Sequence, residues 1–438
     1  MTRATRFITS VIFFSSFSFA ALADDLLSVY QLALKNDSQF RAAQAEYSAL
    51  QELKPQSISA LLPTLSLSGN VSRHNEKNTS SSANTSYQYN SNGYSINLVQ
   101  PLYRNENFVA LDKADAQVMQ AVIAFENSKQ DLILRVAKNY FAVLAAKDEQ
   151  SFAQTERKAI NEQLLQARQR FNVGLIAITD VHEAQARYDQ AVASAIVAEN
   201  AVAISLQTLR EITSTDHTNL VSLANKHPLP TPKPENIEQW VGTALSQNIL
   251  LRVSKKNVDI AKAEVSRQQG SHYPTLDLTA KHSYNDIDGG ALGEREQNNN
   301  IVALQLNIPL YQGGMVNSRT RAAAHRLTQA QALFEQQKRA TERQVRNAYL
   351  SVIANISQAK ALKQALASSS IALEATQASF EVGSRTTVDV LNSQRELYRA
   401  RRDYAQARYN YFLETLKLKY AAGTLSALDV EQLNPWFN

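Results

Sequence analysis

The chain carries one set of motifs twice. Phe171-Asn172-Val173-Gly174 recurs 209 residues later as Phe380-Glu381-Val382-Gly383, and an Asp-Val pair stands six residues beyond each glycine, Asp180-Val181 and Asp389-Val390. Leu62-Pro63-Thr64-Leu65-Ser66-Leu67 returns 211 residues on as Tyr273-Pro274-Thr275-Leu276-Asp277-Leu278, and Pro101-Leu102-Tyr103 returns after 208 as Pro309-Leu310-Tyr311. Self-similarity at a nearly fixed offset means one structural unit used twice. Residues 24–230 form the first repeat on this reading and 231–438 the second.

The unit is dominated by one long helix. Neither glycine nor proline occurs between Arg104 and Val173 or between Met315 and Val382, and both stretches are rich in helix-forming Ala, Gln, Glu, Leu, Lys and Arg. Leu111, Val118, Phe125 and Leu132 step by seven, then Ile133, Val136, Tyr140 and Leu144 continue one packed stripe. At ~1.5 Å per residue, some 68 residues extend about 100 Å, far beyond an ordinary globular helix. Each rod closes at a Val-Gly tip, 172–180 and 381–389, where Gly174 and Gly383 suit the left-handed position that ends a helix. Return helices are expected over Thr179–Ile212 and Thr387–Ala421, and shorter opening helices over Leu26–Leu53 and Glu235–Gln269. Pro228, Pro230, Pro232 and Pro234 space a stiff linker between the repeats.

Two strand-like segments per repeat lie between opening helix and rod, at about 62–73 and 87–100, then about 274–284 and 300–310. Leu65, Leu67, Gly69 and Val71 alternate with polar residues, as do Val302, Leu304, Leu306 and Ile308. The polar stretches His74–Ser86 and Asn285–Asn300 read as solvent loops joining each pair. Strands of roughly ten residues, tilted at about 45°, cover a membrane's apolar thickness. Four strands cannot close a barrel, because the smallest use about eight. An open edge facing lipid leaves backbone groups unsatisfied at several kcal/mol each. Chains must therefore pool strands. Two copies give eight and three give twelve, and periodicity does not choose between them.

The remaining signals narrow the class. Arg3 and Arg6, the apolar run from Phe7 to Phe19, and Ala21-Leu22-Ala23 read as an export signal over 1–23. No apolar run approaching twenty residues follows, so no transmembrane helix is expected. The absence of cysteine excludes disulfides and thiolate metal sites. Losing the signal lowers the net charge from +5 to about +3, too mild and too dispersed to indicate nucleic acid. The seven histidines are scattered without metal-ligand spacing, Asp180-Val181-His182 being only a weak pair, and no cofactor is expected. Gly313-Gly314 lacks the rest of any phosphate-binding fingerprint. An exported hydrolase is disfavoured by the lack of a nucleophile elbow or a His-based triad. A periplasmic adaptor would carry one helical hairpin without membrane-like strands, whereas this chain has two hairpins, each preceded by a strand pair.

Longer stretches carry a family resemblance. Arg170-Phe-Asn-Val-Gly-Leu-Ile-Ala-Ile-Thr-Asp-Val181, Ile308-Pro-Leu-Tyr-Gln-Gly-Gly-Met-Val-Asn-Ser318, Val382-Gly-Ser-Arg-Thr-Thr-Val-Asp-Val-Leu391 and Ala407-Arg-Tyr-Asn-Tyr411 resemble the TolC family of outer-membrane efflux proteins, from about Leu26 to Leu433. The resemblance implies a homotrimer in the outer membrane of a Gram-negative bacterium. Its twelve-stranded β-barrel, embedded in outer-membrane lipid, would continue as an α-helical barrel through the periplasm. The implied partners are a periplasmic adaptor and an inner-membrane pump of RND or ABC type, with drugs or secreted proteins as cargo. It makes the hairpin ends a gate, with Arg385 opposite Thr179 and Asp180, and Asp389 in a ring about the pore axis. Val173, Gly174 and Leu175, with Val382, Gly383 and Ser384, become the tips that meet the adaptor. Two positions depart from the family pattern. Phe380 stands where a tyrosine hydroxyl joins the Arg385 link, and Asn392 replaces a second ring aspartate. Asp180 with Glu183 also reads as a capping box at the start of the return helix. One partly exposed ion pair contributes ~0.2–1 kcal/mol, whereas inverting a gate population from about 1:99 takes about 5.5 kcal/mol. Opening is thus expected to need several adaptor contacts per hairpin.

Overall fold

The computed structural model describes residues 24–80, 83–224 and 229–436. The export signal, residues 81–82 of the first expected loop, Pro228 of the linker and Phe437 lie outside the described residues. Two rods, α4 (Asn105–Asn172) and α8 (Met315–Glu381), run 68 and 67 residues without interruption. Each folds back at its tip into a shorter partner, α5 (Ile178–Thr213) and α9 (Thr387–Ala422).

The opening helices differ from expectation. In place of one helix per repeat stand α1 (Leu26–Asn36), α2 (Ser38–Gln51) and α3 (Leu53–Ser59), then α6 (Ile237–Gln247) and α7 (Ile249–Gly270). Asp37 ends α1 and caps α2, its carboxylate accepting from the Phe40 amide at 2.6 Å. Asn248 does the same between α6 and α7, accepting from the Leu251 amide at 2.9 Å. A short side-chain acceptor that outcompetes the backbone breaks a helix without breaking its apolar periodicity, so periodicity alone reads through it.

Among the described residues, four strands form one antiparallel sheet in the order β1 (Thr64–Ser80), β2 (Ala83–Tyr103), β3 (Thr275–Asp288) and β4 (Arg295–Asn307). Most of the two expected solvent loops is strand. The β1–β2 register runs from Thr64↔Val99 to Ser80↔Ala83, and β3–β4 pairing reaches Ile287↔Arg295. The physical reason is that alternating hydrophobicity marks only the part of a strand with one apolar face, while the backbone ladder continues between polar residues. At ~3.3 Å per residue, β2 spans about 70 Å, more than twice the apolar thickness of a bilayer. Its pairing with β3 shifts register between Pro101 and Tyr103, where proline donates no ladder hydrogen bond. Just beyond, Arg104 grips Asp277 with two hydrogen bonds of 2.9 and 2.7 Å, fastening the first rod to the second repeat's strand.

The core lies where the rods pass the short helices. Leu132, Val136 and Tyr140 of α4 meet Leu26 and Val29 of α1, Leu209 of α5, Trp240 of α6, Val345 of α8 and Phe412 of α9. Aromatic stacking of Phe141 on Phe412, with Trp436 edge-on to Phe412, closes this girdle. The linker packs onto it, with Tyr411 donating to the Pro230 carbonyl and the Trp240 indole to that of Pro234. Small residues replace the girdle further down, where Ala153 meets Ala195 and Ala198. By length and composition, α5 is apolar enough to cross a membrane, against the sequence expectation. It is nonetheless one arm of a hairpin on α4, and leaves Ile196, Val197 and Ile204 exposed along one face.

Candidate functional site: the twin hairpin tips

Both rods stop in the same way. In the first tip the Leu175 amide donates to the Arg170 carbonyl and the Gly174 amide to that of Phe171, each at 2.9 Å. In the second, Ser384 donates to Ser379 at 2.9 Å and Gly383 to Phe380 at 3.1 Å. This double closure is the Schellman pattern, which requires a left-handed residue at its pivot. Gly174 and Gly383 supply it with φ of +77° and +80°. A Cβ on either would meet nothing within 4 Å. The glycines therefore answer to backbone conformation, and the surface around them is open. Val173, Leu175 and Val382 project there with 70, 72 and 80% of their surface exposed. Apolar side chains bared at both tips form a surface suited to a partner.

The return helices start differently. Thr386 caps α9 in a full capping box: its hydroxyl accepts from the Asp389 amide at 3.3 Å, and the Asp389 carboxylate accepts from the Thr386 amide at 2.9 Å. The Asp389 carboxyl lies below its ordinary value, chiefly because the Thr386 amide bonds it, then through the Thr386 hydroxyl and the Arg385 charge. Arg385, in the turn just before α9, reaches Asp389 of that helix at 3.8 Å. At α5 the capping residue is Ala177, which has no side chain to cap with. Asp180 with Glu183 is thus not a capping box. Asp180 lies inside the first turn, its amide bonded to the Ala177 carbonyl at 3.1 Å.

Of the residues singled out in the sequence, one chain brings Arg385 to Asp389, both on the second hairpin. Thr179 and Asp180 stand at the matching place on the first hairpin, and Asn392 is half-buried one residue beyond the buried Leu391. Phe380 is buried in the last turn of α8, against Arg170 of the first hairpin. Leu391 enters an apolar seam with Ile160 and Leu164 of α4 and Ala184 of α5, so the two hairpins pack on each other just above the tips. Sequence reasoning missed Arg170, Thr386 and Leu391. Thr386 had a legible signal in its spacing from Asp389; the other two depend on which helices become neighbours. Among the described residues no group of three His, Cys, Asp or Glu side chains is placed to hold a metal.

Comparison with known proteins agrees with this architecture. The family model described as outer membrane efflux protein matches residues 29–215 and again 240–424. The outer membrane protein TolC of Vibrio cholerae is 37% identical over 423 residues, covering 95% of this chain and 94% of that protein. The proteases secretion protein PrtF of Dickeya chrysanthemi is 30% identical over 451 residues, covering 100% of this chain and 96% of that protein. Among solved structures, the Campylobacter jejuni CmeC outer membrane channel superposes with a TM-score of 0.79 at 16% identity, over 91% of this chain and 85% of that one. The chain belongs to the outer membrane efflux protein family, and its half-exposed sheet and paired rods are one chain's share of an outer-membrane exit duct.

Proposed function

We propose that three copies of this chain form a passive duct, gated at the hairpin tips and opened by a periplasmic adaptor coupled to an inner-membrane pump of RND or ABC type. The observation that carries this reading is the sheet's two unpaired edges. β1 and β4 pair on one side only, and the apolar residues Leu65, Leu67, Val71, Val302, Leu304 and Leu306 are exposed beside those edges. In lipid such edges are untenable until another strand covers them. Joining β4 of one copy to β1 of the next supplies that strand, and three copies give a twelve-stranded wall. The exposed Ile196, Val197 and Ile204 of α5 then face a neighbouring rod, so the helical wall closes with the barrel.

In such a ring Arg385 lies opposite Thr179 and Asp180, the link that the family resemblance implies, and Asp389 lines the axis. Rods of about 100 Å reach far from the membrane and present Val173, Leu175 and Val382 to an adaptor. A wide duct selects little by chemistry, and the presence of a protease secretion protein among the relatives makes polypeptide cargo as admissible as small toxic compounds. Full-length protein in detergent should migrate as a heat-modifiable trimer and conduct ions in planar bilayers. Arg385→Ser should raise its resting conductance several-fold. A monomer that passes no ions would overturn the reading. Deleting the gene should sensitise cells to toxic compounds, abolish secretion of a protein, or do both, which assigns the cargo.

A further inference from the structure

Arg170 occupies the last turn of α4 and Phe380 the last turn of α8, one on each hairpin. The Arg170 Cζ lies 4.2 Å from the centroid of the Phe380 ring, well within the distance at which a guanidinium is held by a ring face. The contacts of Lys129 on Phe125, Arg401 on Tyr398 and Arg408 on Tyr404 each stay within a single helix, whereas this one crosses from hairpin to hairpin. Its ring is 8% exposed, although Val382, two residues further on, is 80% exposed. Among the described residues the Arg170 side chain has no ion pair or hydrogen bond, so the ring is its principal partner. The last turn of α8 holds no basic side chain, while Arg170 fills that role for α4. The Arg170 charge therefore stands beside the last turn of α8 as well as in that of α4, which favours the same placement.

We infer that Arg170 is a positioning residue of the gate, which by stacking on Phe380 clamps the first hairpin tip to the second within each subunit. This rests on the reading of the tips as the gate. The ring that lacks the family's tyrosine hydroxyl still ties the tips, through its face. Guanidinium keeps its charge throughout the working range of pH and a phenyl ring does not titrate. The clamp accordingly keeps both its charge and its stacking surface as the pH falls.

The test uses the full-length assembled protein in planar bilayers, comparing resting conductance near neutral pH and in mild acid. Arg170→Met and Phe380→Leu are each expected to raise it about two- to tenfold, by the same factor at both pH values. The double variant should leak no more than the worse single one, as coupled partners do. Arg170→Lys keeps the charge but loses the flat stacking surface, and should fall between the parent and Arg170→Met, guarding against a folding defect. If Arg385→Ser leaks while Arg170→Met and Phe380→Leu do not, or if those two add independently, the clamp is overturned. If none of the three leaks, the reading of the tips as a gate fails first.

Discussion

The two repeats share their turns and differ in how those turns are charged. At the break between opening helices, repeat 1 has Asp37 and repeat 2 has Asn248, 211 positions apart. Both cap the following helix. Asp37 also takes a two-pronged contact from Arg135, at 2.8 and 3.0 Å, while Asn248 donates to the Ala421 carbonyl at 2.9 Å. At the tips the contrast is reversed: repeat 2 begins its return helix with the Thr386–Asp389 box, and repeat 1 with a bare Ala177. Backbone geometry was retained after duplication wherever a turn demands it, whereas the side chains satisfying that turn were free to diverge. The outcome is one charged and one neutral anchor at the girdle, and one capped and one uncapped helix start at the tips.

Four measurements would break or sharpen this contrast. The largest effect is expected at the girdle. Asp37→Ala removes the α2 cap and two charge-assisted bonds, leaving the Arg135 guanidinium with Asp131 alone, and should cost ~2–4 kcal/mol, whereas Asn248→Ala loses a cap and a neutral hydrogen bond, ~1–2 kcal/mol. Denaturant unfolding of the solubilised protein would resolve them, and equal losses would erase the distinction.

Acid should separate the same two sites without mutation. Burial pushes the Asp37 carboxyl upward, but Arg135 and the Phe40 amide outweigh it and hold the group below its ordinary 3.8. A depressed carboxyl contributes fully above its unfolded value and loses that contribution as pH falls through the lower folded one. Hydrogen exchange of the Phe40 amide should therefore accelerate as pH drops below 3.8, relative to the Leu251 amide beside neutral Asn248. Parallel behaviour of both amides would contradict this. The tie between α4 and α7 should hold far below the ordinary glutamate range, since Arg267, then Lys113 and Gln268, hold Glu264 down at about 2 despite its partial burial.

On the proposed gating, Asp389→Ala should weaken block by multivalent cations about tenfold, because the proposed ring of carboxylates would concentrate counter-ions. Thr386→Ala removes the cap but keeps the carboxylate, so block should survive in it. Loss of block in both variants would assign the effect to helix fraying. The smallest change is Ala177→Ser, which supplies the missing cap to α5 and should slow exchange of the Thr179 amide about two- to fivefold. If exchange is unaltered, the missing cap does not govern the first turn of that helix.

How much of this was legible in the sequence varies with the range of the interaction. The rods, their closing glycines and the count of strands follow from local rules: an unbroken helical stripe, a left-handed pivot and a two-residue alternation. The helix breaks at Asp37 and Asn248 hid inside continuous periodicity. The strands outran their apolar segments because hydrophobicity marks the membrane and hydrogen bonding marks the strand. At the tips, the Thr386-x-x-Asp389 spacing was readable as a capping box, whereas the similar Asp180–Glu183 spacing lies inside α5 and caps nothing.

Sequence alone determined that the chain is a duplicated hairpin with too few strands to seal itself, because repeats, periods and counts are properties of one dimension. Tertiary structure alone decided that Arg170 lies on Phe380, that Leu391 fills the seam between hairpins, and that Asp37 answers Arg135 while Asn248 answers a carbonyl. These partners are brought together by the packing of helices about a hundred to more than two hundred residues apart in the chain, and no local pattern encodes such a meeting.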